Sequence, residues 1–156
     1  MFFSCGKSNL DQIEGDYLYH LGGSVALLSE LPMCDTIWVP LVTEHGQLCC
    51  RVLNDDSKIN VSFMPLISAP YSNEAEVCGS KISFVNAKRR FVKGLYNFSG
   101  LVDDYSFEAE VFYKGDGCYR DGVITMDLVY EGSVFVNGVS YDIVQSDVEL
   151  VATQNE

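Results

Sequence analysis

Strict alternation of apolar and polar side chains is what most limits the folds open to this chain. In Tyr105-Ser106-Phe107-Glu108-Ala109-Glu110-Val111-Phe112-Tyr113, the residues Phe107, Ala109, Val111 and Tyr113 fall on one face. Ser106, Glu108 and Glu110 fall on the other, the two-residue period of a half-buried strand. The stretch Val123–Tyr130 repeats the pattern, with Ile124, Met126, Leu128 and Tyr130 on one face and Thr125 and Asp127 on the other. In Ser133–Ile143, Asn137-Gly138 separates two β-branched runs. That dipeptide suits a type I′ hairpin, because both of its central residues need positive φ. Residues 81–152 therefore predict an antiparallel meander.

Upstream, Asp16–His20, Thr36–Val39, Gln47–Leu53, Lys58–Ile67, Val77–Cys78 and Lys81–Val85 read as further short strands. Turn residues recur about every 8–12 positions, the spacing of a sandwich or a small barrel. Gly22-Gly23, Glu44-His45-Gly46 and parts of Asp116–Gly122 read as turns, and residues 1–15 as a loose arm or irregular lead-in. Ser24–Leu31 fits a short helix: Ser24 is an N-cap, alanine and leucine favour the helix, and Pro32 ends it. The expected fold is all-β, a single domain over 1–156. It is either an antiparallel β-sandwich or a small β-barrel, with a C-terminal meander and at most one short helix near 24–31. With 47% apolar residues among 156, a core can form without staples or metals.

The formal charge is −12 and is unevenly spread. Residues 1–80 carry −7, residues 81–102 carry +5, and residues 103–156 carry −10. A field of this sign repels phosphate backbones and anionic membranes, so neither nucleic acid nor membrane is an expected partner, while basic surfaces are attracted. No run approaches the roughly 18 apolar residues of a spanning helix, and the N-terminus lacks the order of a signal peptide. Cys5, Cys34, Cys49, Cys50, Cys78 and Cys118 form no C-x-x-C pair. Without an export signal they read as free thiols in a reducing, cytoplasmic setting.

Catalytic motifs fail on context. Gly22-Gly23-Ser24-Val25-Ala26 approximates a nucleophile elbow, but that elbow needs a strand before it, a helix after it, and an acid then a histidine downstream. Gly6-Lys7-Ser8 lacks the earlier glycine of a phosphate loop. His45, Cys49 and Cys50 invite a metal reading, but neighbouring strand residues point to opposite faces, so no metal and no cofactor is expected. Asp103-Asp104 and Asp116–Gly122 lack calcium-loop spacing. An enzyme is the least supported class.

Two functions remain. The first is a non-enzymatic protein-binding module, an acidic inhibitor or immunity-type protein acting on a basic protein partner. Its contact residues are Glu108, Glu110 and Asp127, with the cluster Lys88, Arg89, Arg90 and Lys93 in reserve. That cluster otherwise reads as a strand edge guarded by positive charge. The alternative is a ligand-binding β-barrel for a small apolar or anionic molecule. It would be lined by Phe107, Tyr113, Tyr130 and Tyr141, with Arg90 or Arg120 pairing an anion. In layout alone such a domain resembles calycin-type barrels. An open interior of roughly 300–1,000 Å³ would favour the ligand, and a filled core with an acidic face the protein partner.

Overall fold

A computed structural model describes residues 10–29, 36–41, 43–53, 57–66, 69–91, 107–136 and 139–155. One short helix, α1 (Leu10–Ile13), precedes nine strands. These are β1 (Gly15–Ser29), β2 (Thr36–Pro40), β3 (Glu44–Val52), β4 (Lys58–Pro65), β5 (Tyr71–Cys78), β6 (Lys81–Phe91), β7 (Phe107–Arg120), β8 (Val123–Val136) and β9 (Val139–Gln154). All the ladders are antiparallel, and β9 pairs with β1 from Tyr17↔Gln154 to Ser29↔Tyr141. That pairing closes β1 and β3–β9 into an eight-stranded barrel and decides between the two architectures left open by the turn spacing.

The strand β2 continues the line of β3 along β1. Gly15–Leu21 of β1 pairs with β3, and Ser24–Leu28 pairs with β2. The meander is as the alternation predicts. Val111 and Tyr113 on β7, and Ile124, Met126, Leu128 and Tyr130 on β8, are all buried. The β8–β9 ladder runs to Val136↔Val139. Asn137-Gly138, which joins those strands, lies outside the described residues.

Four local expectations are corrected. Ser24–Ser29 is strand and not helix, because Val25 and Leu27 are drawn into the barrel core while the backbone pairs on both sides. Ser24 itself sits in mid-strand, without the strand–turn–helix of a nucleophile elbow. Gly22-Gly23 is no turn either: a Cβ on Gly23 would stand 1.9 Å from the Asp147 carbonyl oxygen, and its φ is +146°. Glycine there lets β9 approach a strongly coiled strand. Glu44-His45-Gly46 opens β3, and Asp116–Arg120 belongs to β7, leaving the turn to Asp121 and Gly122.

The lead-in is more ordered than an arm from residue 10 onward. Leu10 and Ile13 of α1 are buried in the core cluster at the end where β1 begins. The Tyr17 hydroxyl donates to the Ile13 carbonyl at 2.6 Å, and Gln154 Nε2 donates to the Gln12 carbonyl at 3.1 Å. No helix among the described residues is long and apolar enough to cross a membrane.

Cysteine chemistry divides. Cys50 is buried and Cys49 half-buried, as opposite faces of β3 require. Burial, with the neighbouring Cys49 next in weight, pushes the Cys50 thiol up to about 12. Cys78 is disulfide-bonded, which overturns the expectation of six free thiols. The step from free thiols to a reducing compartment loses its premise with it.

Candidate functional site

The inward phase of the strands carries two charges among the described residues, Glu44 and Arg89, each 4% exposed. Glu44 is in phase with Gly46, Leu48 and Cys50 on β3, and Arg89 with Ala87 on β6. Arg89 Nη2 stands 2.5 Å from Glu44 Oε1. The Tyr19 and Tyr71 hydroxyls donate to Glu44 Oε2 at 2.8 and 2.9 Å. Arg89 Nη1 donates to the Tyr71 hydroxyl at 3.1 Å, and its guanidinium carbon lies 4.1 Å from the Tyr71 ring centroid.

Burial works against the Arg89 charge, and Tyr71 and Glu44 outweigh it, leaving the group above its ordinary value. Burial holds the Tyr71 phenol neutral well past its usual range. An aromatic column continues inward from this network. Ring centroids are separated by 5.3 Å for Tyr19–Phe63, 4.6 Å for Phe63–Tyr71, 5.3 Å for Phe84–Tyr113 and 5.8 Å for Tyr113–Tyr130. A void of only about 10 Å³ lies among Leu48, Phe84, Met126 and their neighbours.

This arrangement redistributes the residues of the ligand alternative. Tyr113 and Tyr130 are interior, and Tyr141 is half-buried against the core. Arg120 is exposed at the far end of β7, paired with Val123, and does not join them. The side chains of Phe107 and Arg90 lie outside the described residues. The basic cluster is not a single surface: Lys88 points out and Arg89 points in, as consecutive strand residues must. Reading Arg89 as a solvated edge charge is therefore corrected. Lys93 lies outside the described residues.

The outer face holds a second assembly. Register places Asp116 directly opposite Asp127, and Asp127 directly opposite Glu149, on β7, β8 and β9. The same row continues through Ser83, whose hydroxyl donates to Asp116 Oδ1 at 2.8 Å, to Glu76 on β5. All four acids are exposed. Side chains so opposed have Cβ atoms about 4.5–5.5 Å apart, and like charges there cost stability. On the same outward face, Val129 lies one step from Asp127 and opposite Lys114, and Phe112 lies two steps from Asp116 and opposite Glu131; the two apolar side chains are about half exposed, at 51% and 50%.

The trio expected from the sequence does not assemble. Asp127 aligns with Asp116, six residues along β7 from Glu110, which is roughly 20 Å at strand rise. Glu110 is exposed and faces Ser133; the Glu108 side chain lies outside the described residues. Sequence reasoning misses Glu149 and Asp116 because register across the β7–β8 and β8–β9 hairpins, not spacing along one strand, brings them to Asp127. Glu44 has a legible signal, since it continues the inward phase of Leu48 and Cys50. Comparison with protein families, with curated proteins and with solved structures returns no match for this chain.

Proposed function

We propose that the protein is a non-enzymatic binding module that captures a basic protein surface and blocks it, in the manner of an inhibitor or immunity protein. The observation that carries this is the acidic belt Asp116–Asp127–Glu149, three like charges in direct cross-strand register. Solubility needs charge but not alignment, and alignment costs stability. A positive partner relieves the repulsion and is steered in by the same field. Exposed Val129, next to the belt, and Phe112, beyond Lys114, supply apolar contact that a charged rim alone lacks.

The interior gives less support to a ligand. The charge of Arg89 is already met by Glu44, and the described aromatic side chains pack against one another.

The test replaces the belt: Asp116→Asn, Asp127→Asn and Glu149→Gln together. Stability should rise by about 0.2–1 kcal/mol per relieved pair, seen as a higher urea midpoint. Affinity capture from the native source should enrich basic proteins with the wild type and lose them with the triple variant. Capture of the same proteins by both forms would defeat the proposal.

A further inference from the structure

The barrel wall is incomplete between β5 and β6. Their ladder has three pairs, Glu76↔Ser83, Val77↔Ile82 and Cys78↔Lys81, although β5 starts at Tyr71 and β6 runs on to Phe91. The cause is local: β6 carries an extra residue between Phe84 and Ala87 relative to β7, and such a bulge bends its strand.

Beyond the three pairs, side chains span the gap: Arg89 of β6 reaches the Tyr71 hydroxyl of β5 on the interior side, and Asn73 of β5 reaches the β6 main chain. Asn73 Nδ2 donates to the Lys88 carbonyl at 3.0 Å, and Asn73 Oδ1 accepts from the Lys88 amide at 3.2 Å. The carboxamide thus takes the place of a peptide group from a neighbouring strand. The same Nδ2 lies 2.7 Å from the Tyr113 hydroxyl.

The direction of the β5 main chain follows from its other edge. The Val77 amide donates to the Ser57 carbonyl at 2.7 Å, so Val77, Ala75 and Asn73 turn their main-chain groups toward β4. Ser72 and Glu74, out of phase with these, turn their N–H and C=O toward the gap. Neither residue belongs to the β5–β6 ladder, and both are exposed. They repeat about every 6.6–6.8 Å, the spacing at which an added antiparallel strand pairs. The opening holds about 420 Å³ and is lined by Lys58, Asn60, Glu74, Glu76, Val85 and Asn86, among others. Lys58 stands opposite Glu76, while Glu74 stands opposite the neutral Asn60.

We propose that this window receives an extended, basic polypeptide segment as an added strand. The segment pairs its main chain with Ser72 and Glu74 and sets a lysine or arginine against Glu74. Asn73 swings aside, releasing Lys88 to pair on the opposite side, while the three-pair ladder acts as the hinge. The inference does not use Asp116, Asp127 or Glu149, which lie on β7, β8 and β9; Glu76, at the end of their row, lines the window but is already opposite Lys58.

The probe is a capped peptide of alternating lysine and threonine, followed by amide shifts in the labelled protein. Saturable shifts at Ser72, Glu74 and Lys88 are expected. An otherwise identical peptide N-methylated at alternate amides should bind at least about tenfold more weakly, having lost its donors. Ser72→Pro, which deletes a gap-facing N–H without touching the β4 ladder, should do the same. Asn73→Ala should bind more tightly, because Lys88 is no longer capped. The Asp116/Asp127/Glu149 triple variant should bind as wild type. Equal affinity for the N-methylated peptide, shifts confined to the belt, weaker binding by Asn73→Ala, or no binding at about 1 mM peptide would each overturn the proposal.

Discussion

Taking a carboxylate and a guanidinium out of water costs several kcal/mol per ion, and only good geometry recovers it. Glu44 and Arg89 meet that demand with each other and with two tyrosine hydroxyls. Removing one member leaves the other charge buried. Glu44→Gln or Arg89→Met should therefore each cost about 3–5 kcal/mol. The double replacement should cost less than the sum of the two, because no lone charge remains. Urea midpoints across the four proteins measure this, and additive losses would show that the pair acts as two separate residues. The tyrosines make a second prediction. Burial raises Tyr17, Tyr71 and Tyr113 above the ordinary value of 10.0. The unfolded chain then releases those protons first as pH climbs. The stability they confer is fully present below about pH 10 and lost as pH rises through their folded values. Cys50, raised from 9.0 to about 12, acts in the same direction from about pH 9, so a urea midpoint that begins to fall near pH 9 and falls more steeply above about pH 10, together with abrupt phenolate absorbance on unfolding, is the expected result.

At the scale of the strand, glycine is the residue that misleads most often in the sequence. Gly-containing stretches at 22–23, 44–46 and 116–122 carry turn chemistry, yet most of these positions lie within strands. Neighbouring backbone explains them: a Cβ on Gly117 would meet the Thr125 carbonyl oxygen at 2.1 Å, and one on Gly46 the Met64 carbonyl oxygen at 2.2 Å. Gly79 is the contrasting case, a true turn glycine at φ +62° where a Cβ would meet nothing within 4 Å. Gly117→Ala should thus cost about 3 kcal/mol or more through backbone collision, the upper end of the overpacking range. Gly79→Ala should cost only the left-handed strain, about 1–2 kcal/mol. Urea midpoints of the two variants compare them, and equal losses would mean that close approach does not govern Gly117. Alternation, by contrast, is dependable away from the bulges, and fails beside them, where Val25, Ala26 and Leu27 are buried in succession and Val85 and Asn86 are both exposed. It places the buried residues of β8 correctly, and β3 and β6 also obey it at Glu44 and Arg89, where charge in the sequence argues for solvent.

Closure is a property of the whole molecule. The β1–β9 pairing joins residues well over a hundred positions apart, so no local pattern announces it. It also pairs the edges that β1 and β9 would otherwise leave open to other chains. The disulfide at Cys78 is another such property, since cysteine count and spacing alone admit many pairings. Two of the six cysteines are engaged, so thiol titration of the unfolded, unreduced protein should return four thiols, and six after reduction. Six before reduction would restore the reading of free thiols.

The amino-acid sequence by itself determined that this is an all-β chain, where most of its strands run, and which side of each faces the core. Those properties follow from a two-residue period and from turn chemistry, both of which act between near neighbours. Only the tertiary structure decided that the sheet closes, that Asp116, Asp127 and Glu149 align, and that β5 and β6 part around Asn73. Register is the physical reason. Shifting a strand by one residue exchanges its faces, and shifting it by two keeps the faces but changes every cross-strand partner. The second choice leaves the alternation unchanged, so the partners that make an acidic belt or a broken ladder are set by the packing of the whole barrel.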